Sequence, residues 1–146
     1  MKLRDSKHPS PAAQKAFDRL VGLDEQKTQL LDTLEILLAR ERFAAWRSEY
    51  HREGLGLAFL VDRATPLILL SGDVGCGKTA LASSVGTPLA RRLDAPVVTL
   101  ETPSDIRGSG LVGELSARIT EAFAQARSAI DRRSYGILLI DEGDDL

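Results

Sequence analysis

The chain of 146 residues contains few of the residues that mark disulfide-rich, base-stacking or membrane proteins. Its one cysteine excludes an internal disulfide framework and a zinc site built from several cysteines. Aromatic residues make up 5%, too few for a platform that stacks the bases of single strands. No stretch approaches the roughly 20 apolar residues of a membrane helix, and no apolar run follows the charged N-terminus as in a signal peptide. These absences predict a soluble protein of the cytoplasm.

The chain also lacks a large excess of positive or negative charge. Its 19 Lys and Arg and 21 Asp and Glu give a net charge of −2. A chain so balanced lacks the global basic field of a dedicated nucleic-acid binder, although a local patch is compatible with it. Arg127, Arg132 and Arg133 form the best candidate for such a patch. Solvated arginines that complement a helix C-terminus are the more frequent alternative.

The first half of the chain reads as a polar lead-in followed by two amphipathic helices. Residues 1–16 are polar and contain prolines, so we expect a flexible lead-in, with ordered chain from Phe17. Leucines recur at helical spacing after Asp24, a candidate N-cap. Residues 40–56 interleave charges with aromatic residues, which we interpret as core or subunit packing rather than nucleic-acid stacking.

The second half alternates short apolar runs with helical patterns. The runs at residues 66–70, 96–100 and 136–140 predict three strands. Helices are expected from near Gly77 and, on the apolar spacing, over residues 115–126. Strand, helix, strand, helix, strand predicts an α/β fold with a parallel sheet and flanking helices. Pro88 predicts a bend in the first of these helices, near residues 84–87.

Residues 72–79, GDVGCGKT, match the phosphate-loop pattern G-x-x-x-x-G-K-[ST] in full. Glycines let successive backbone N–H groups turn toward phosphate oxygens. Lys78 supplies a positive charge to the β and γ phosphates, and Thr79 offers its hydroxyl to Mg²⁺. Because an apolar run precedes the motif and a helical pattern follows it, we predict a nucleoside triphosphate site. Its candidate binding residues are Asp73, Val74, Gly75, Cys76, Gly77, Lys78, Thr79 and Ala80.

The apolar run that begins at residue 137 ends in two carboxylates, Asp141 and Glu142. Strand C-termini line the ligand crevice of a parallel sheet, so both carboxylates should face the phosphates. Asp141 is the candidate Mg²⁺ ligand, and Glu142 is the candidate catalytic residue that polarises the attacking water, with Lys78 as its catalytic partner. Many buried strands end in an acidic turn, and the phosphate loop upstream is what makes this pair indicate an ATPase.

Taken together, these residues resemble the AAA+ ATPase family. Segment 17–24, FDRLVGLD, is similar to the segment by which the family's module begins, and the resemblance implies that Val21 and Gly22 lie against the adenine. Segment 108–114, GSGLVGE, resembles the family's central-pore loop. There Leu111 stands in place of the usual aromatic residue, so the resemblance implies that Leu111 and Val112 press against an extended polypeptide.

Within AAA+, residues 72–79 and 99–107 resemble bacterial relatives of the pachytene-checkpoint remodellers, which unfold part of HORMA-domain proteins. This resemblance implies ATP and Mg²⁺ as cofactors, a homo-hexameric ring and a HORMA-domain client. It covers residues 17–146, a partial AAA+ nucleotide-binding domain that stops before the sensors, arginine finger and helical lid of the family. We therefore expect ATP hydrolysis from a complete chain.

Two other hypotheses stay open at this point. A DNA-associated AAA+ loader or transposition helper would use the same nucleotide site to switch its assembly on DNA. A nucleotide-binding fragment without turnover is the third. The apolar pair in the pore-loop segment favours the remodeller, because a loader has no need of it, whereas the three arginines named above favour the DNA-associated protein.

Overall fold

The computed structural model describes residues 2–51, 56, 58–63, 66–103 and 113–141. The chain forms two compact units: a sheet unit, Met1–Leu20 with Thr79–Leu146, and a loop unit, Val21–Lys78. In chain order the elements of the described residues are β1 Arg4–His8, α1 Pro11–Asp18, α2 Asp24–Leu38, α3 Arg40–Tyr50, α4 Ala58–Arg63, α5 Lys78–Ser84, α6 Gly86–Leu93, β2 Val97–Glu101, α7 Glu114–Ala129 and β3 Tyr135–Leu139. None of these helices is long and apolar enough to cross a membrane.

The sheet unit is built on β2, which lies between the other two strands. β2 pairs in parallel with β3, from Val97 opposite Tyr135 to Glu101 opposite Leu139. β1 pairs antiparallel with β2, which makes the sheet mixed rather than purely parallel as predicted. The central position explains why a run of four apolar or β-branched residues forms β2, since its side chains are buried on both faces.

Alternate residues of β2 face two different helices. Val98 and Leu100 form a core cluster with Ala122 and Ala126 of α7, and Leu138 packs against it. Val97 and Thr99 point to the opposite face, because successive strand residues alternate, and α6 packs on β2. The three most buried residues of α6 are Thr87, Leu89 and Leu93, at 0–2% exposed. The sheet is therefore covered by one helix on each side.

We expected a flexible lead-in over residues 1–16, but the structure has a strand and a helix there. Residues 4–8 form β1, and α1 begins at Pro11, where the N–H that proline lacks would have no partner within the helix. The Ser10 side chain accepts a hydrogen bond from the Ala13 N–H and caps the helix. Polar composition misled the prediction because an edge strand keeps most of its side chains in solvent.

Two of the three predicted strands are present in the structure, and the third is not. β2 and β3 match the runs at 96–100 and 136–140 to within one residue. Residues 66–70 are not in a strand, and Leu67 and Leu69 are 78% and 80% exposed. An apolar run becomes a strand only where a partner strand accepts its backbone hydrogen bonds. Within the described residues, this run has no such partner.

The helix after the phosphate loop is divided where a bend was predicted, because α5 ends at Ser84 and α6 begins at Gly86. Pro88 thereby lies in the first turn of α6, where a missing N–H breaks no hydrogen bond within the helix. The backbone ladder continues on each side of the bend, from the Val85 N–H to the Leu81 carbonyl and from the Leu89 N–H to the Val85 carbonyl, each 3.1 Å.

In the loop unit, α2 buries Leu30, Leu31 and Leu34 at the predicted helical spacing. Asp24 is the first helical residue rather than the cap, and Leu23 occupies the cap position. None of the residues of α3 is buried. Its aromatic side chains contact one another instead: Phe43 stacks on Trp46 at 5.9 Å, and Trp46 meets Tyr50 in a tilted arrangement at 6.2 Å between ring centroids. Core packing of these aromatics within this unit is therefore wrong, and subunit packing, the other half of the interpretation, stays a prediction.

Candidate nucleotide-binding site

The phosphate loop in the loop unit has a backbone that only glycine adopts easily at three positions. Gly72 has φ +154°, and Gly75 and Gly77 have φ +80° and +95°, values at which a Cβ is strained. Between them, the Cys76 N–H donates to the Asp73 carbonyl at 3.3 Å and closes a turn. Gly72 and Gly77 are the glycines that the motif specifies, and Gly75 occupies one of its variable positions. Helix α5 begins directly after the loop, at Lys78.

Lys78 folds its side chain back over the start of the loop. Its Nζ donates to the carbonyl oxygens of Gly72 at 2.7 Å and Asp73 at 2.9 Å. An ammonium group has three protons, so these two carbonyls use two of its donors. The positive charge is thereby held beside the loop backbone by neutral acceptors. Sequence reasoning missed these contacts, because they depend on how the loop closes and no residue pattern reports that.

The rest of the loop is open to solvent. Asp73, Val74, Gly75 and Cys76 are all exposed, and Val74 is fully so. The Cys76 Sγ lies 3.9 Å from the Lys78 Nζ. These four residues of the loop are therefore open to contact by a molecule in solution.

In the sheet unit, Thr79 and Asp141 are brought together. The Thr79 hydroxyl lies 3.1 Å and 3.0 Å from the two carboxylate oxygens of Asp141, to which it donates. These residues stand 62 apart in sequence, at the start of α5 and just after β3. The parallel pairing of β3 with β2 fixes where the carboxyl end of β3 lies. The carboxylate that follows β3 and the hydroxyl at the start of α5 are therefore in contact.

The donor set of Thr79 and Asp141 fits magnesium. Both side chains offer oxygen atoms, which Mg²⁺ prefers, and Mg²⁺ usually keeps several waters and takes further ligands from phosphates. Among the described residues, His, Cys, Asp and Glu do not gather in groups of three or more that would form an all-protein metal cage. A hydroxyl and one carboxylate are what a phosphate-assisted magnesium site needs from the protein.

Of the remaining candidate residues, some are described by the structure and others are not. Val21 and Gly22 form a turn in the loop unit between α1 and α2, with Val21 90% exposed and Gly22 at φ +77°. Ala80 is exposed on the first turn of α5. The pore-loop pair, Leu111 and Val112, lies outside the described residues, as does Glu142. Their assignments stay predictions.

These observations coincide with a family match. The sequence profile of the ATPase family associated with various cellular activities (AAA) matches residues 68–146, which include the phosphate loop, β2, α7 and β3. The chain belongs to the AAA family. The predicted α/β fold of an AAA nucleotide-binding domain is confirmed, with the antiparallel β1 as an addition to it.

Relatives of this AAA chain include proteins associated with HORMA proteins. It is 36% identical over 146 aligned residues to CD-NTase-associated protein 6 of Escherichia coli, covering 94% of this chain and 47% of the relative. A chain of the solved Escherichia coli HORMA:CdnC:Trip13 complex superposes with a TM-score of 0.85 at 36% identity, covering 97% of this chain and 48% of that one. The predicted resemblance to bacterial HORMA-associated AAA proteins is confirmed.

A second solved structure, Trip13 of Rhizobiales, gives a TM-score of 0.78 at 34% identity. The match covers 96% of this chain and 51% of that one. The AAA chain thus spans about half the length of the relatives it matches.

Proposed function

We propose that this AAA chain is the nucleotide-binding part of an ATPase that remodels a HORMA-domain client protein. The observation that carries the proposal is the hydrogen bond between Asp141 and Thr79, the last residue of the phosphate-loop motif. The similarity to a chain of a HORMA:CdnC:Trip13 complex supports the client class and favours remodelling over a DNA-associated loader.

Binding of ATP would use the loop backbone and Lys78. Backbone N–H groups of residues 73–79 would donate to the phosphate oxygens, as the open glycine-rich conformation allows. Lys78 would exchange the carbonyls of Gly72 and Asp73 for phosphate oxygens, because an anionic oxygen adds charge–charge attraction that a neutral carbonyl does not offer. Val21 and Gly22 would contact the adenine.

Thr79 and Asp141 would hold Mg²⁺, which neutralises charge on the β and γ phosphate oxygens when bound. The two side chains are already directed at each other, so their oxygen atoms need little rearrangement to share one ligand. Thr79 follows Lys78 in the chain, and this links the metal ligand to the phosphate ligand.

Hydrolysis would depend on Glu142, which directly follows Asp141 in the chain. Its carboxylate would orient a water molecule and polarise it for attack on the γ phosphorus. A bond then forms between the water oxygen and phosphorus while the bond to the bridging oxygen breaks, giving ADP and phosphate. In a complete chain, we propose, this reaction in a cytoplasmic homo-hexamer drives Leu111 and Val112 against the client.

The binding step is tested by Lys78→Ala. A charge-assisted contact contributes about 1.5–3 kcal/mol, so the dissociation constant of a fluorescent ATP analogue with Mg²⁺ should rise roughly tenfold or more. Lys15→Ala, which removes an exposed lysine of α1, is the matched control and should leave the constant unchanged. Equal affinities of Lys78→Ala and the unaltered chain would refute the nucleotide site.

A further inference from the structure

The N-terminal strand β1 is anchored by two buried side chains that lie on opposite faces of the sheet. Leu3, just before β1, belongs to the core cluster under α7, whereas His8 packs against α6. They are 8% and 4% exposed, and the four strand residues between them are all exposed. Among the side chains from Leu3 to His8, these two therefore make the buried contacts of β1, in addition to its backbone pairing with β2.

His8 is held in a small network of uncharged groups. Its Nδ1 lies 2.9 Å from the hydroxyl oxygen of Thr87, which is fully buried on α6. The same oxygen accepts from the Ser10 N–H at 2.9 Å and lies 3.2 Å from the Ser10 carbonyl oxygen. The hydroxyl has one proton and two lone pairs, so it can satisfy these contacts with a neutral imidazole. The His8 Nε2 is buried and has no hydrogen-bond partner among the described residues.

The ring packs directly on the backbone of Gly86. A Cβ at this position would lie 2.4 Å from the His8 Cδ2 and 2.5 Å from the Nε2. The Nε2 therefore faces a Cα–H group, which accepts no hydrogen bond. Docking of β1 thus requires both the absence of a side chain at residue 86 and a ring that needs no acceptor at Nε2.

Protonation of His8 would create a need for an acceptor at Nε2, so the second condition for docking would no longer hold. An imidazolium carries two N–H donors, and the one at Nε2 would be buried without an acceptor. Burial also lowers the pKa of His8 from its ordinary value of 6.5. The α6 groups in contact with the ring, at Gly86 and Thr87, are uncharged, as is Ser10, which bonds to the Thr87 hydroxyl, and the strand partner Val97 is apolar.

Charged side chains on the same elements do not compensate a charge on His8. Arg4 and Glu101 pair with each other across β1 and β2. The remaining charged residues of β1, α1 and α6 are exposed: Asp5, Lys7, Lys15, Asp18, Arg91 and Arg92. A protonated ring would therefore be a buried charge without a counter-ion from β1, β2, α1 or α6.

We propose that His8 makes the N-terminal strand a pH-sensitive latch: the neutral ring holds β1 on β2 and α6, and protonation releases β1 from the sheet edge. Release uncovers the edge of β2 while leaving its parallel pairing with β3 intact. The latch concerns the sheet unit itself and does not depend on the proposed nucleotide chemistry.

The test is hydrogen exchange of the β1 amides at pH 7.5, 6.5 and 5.5, with each rate divided by the intrinsic rate at that pH. The opening constant of β1 should rise by up to about tenfold per pH unit below 6.5, until the pKa of the docked ring is reached. Amides of β3 and α7 should keep their protection over the same range. A β1 protection that does not change with pH, or one lost together with that of β3, would overturn the latch.

Variants separate the ring from other titrating groups. His8→Asn keeps a polar atom near the position of Nδ1 without titrating, so its β1 opening should be independent of pH. His51→Asn, the matched change at the other histidine of the chain, should keep the wild-type pH dependence. Gly86→Ala should expose β1 at every pH, since it displaces the ring. If either Gly86→Ala or His8→Asn retains the wild-type slope with pH, the latch is refuted.

Discussion

The strand β2 of the sheet unit and the phosphate loop of the loop unit represent two ways of holding a polypeptide in place. The first four residues of β2 are at most 7% exposed and lie between paired strands and covering helices. Residues 72–76 are all exposed, and their backbone conformation is determined by glycine φ angles and by the hydrogen bonds of Lys78 to two carbonyls. Burial specifies the first region, whereas backbone geometry specifies the second.

This difference teaches where changes should affect stability and where they should affect chemistry. A loop that binds a ligand through its backbone must leave that backbone accessible, so it contributes few buried contacts. The central strand has the opposite requirement, because each of its side chains fills a place in the core. Substitutions in the two regions should therefore have separable effects on catalysis and on unfolding.

The largest effect is expected from Glu142→Gln, assayed in a chain that also carries the lid. The change retains the size of the side chain but removes the carboxylate, so ATP hydrolysis should fall by about 10²–10⁴-fold while ATP binding persists. Steady-state phosphate release and nucleotide titration measure the two quantities. Hydrolysis at the wild-type rate would place the catalytic carboxylate elsewhere.

The next effect concerns unfolding and compares two leucines. Leu89 on α6 is 0% exposed, so Leu89→Ala should lower the free energy of unfolding of the sheet unit by about 2–5 kcal/mol. Leu69, which is 80% exposed in the loop unit, should cost no more than about 0.5 kcal/mol when replaced by alanine. Urea denaturation of both variants measures the contrast. Similar losses would show that exposure does not separate the two regions.

The smallest effect on stability is expected from the double change of Leu111 and Val112 to serine. If the pair acts in a pore, unfolding should shift by less than about 0.5 kcal/mol, while remodelling of the client by a complete chain is lost. If the pair is buried, each side chain should cost about 1.5–3 kcal/mol and the melting temperature should fall by several degrees. A large melting shift, or full remodelling activity, would reject the pore-loop assignment.

The same contrast explains what could be predicted from the sequence. The β2 and β3 runs were placed to within one residue because burial on both faces leaves a continuous apolar signal. The glycine conformations of the phosphate loop were predictable because each motif glycine has a stated steric purpose. In both cases the information is local in sequence.

The failures have a common physical cause, which is dependence on distant partners. β1 was missed because its partners on β2, from Glu101 to Val97, lie about 90 residues away in the chain and its own residues are polar. Residues 66–70 were assigned to a strand on their apolar character, but strand pairing is settled by a second segment. The contact of His8 with Gly86 and Thr87 left no periodic signal at all.

The thiol in the phosphate loop has a practical consequence for experiments on this chain. Cys76 is the chain's single cysteine, it is exposed, and its Sγ lies 3.9 Å from the Lys78 Nζ. A maleimide fluorophore will therefore attach at one defined place, with no need to remove other thiols first. The unlabelled loop offers the complementary measurement, because a nucleotide lying over residues 72–79 should slow the alkylation of Cys76. The chain thus has a built-in reporter at the position where its ligand is expected.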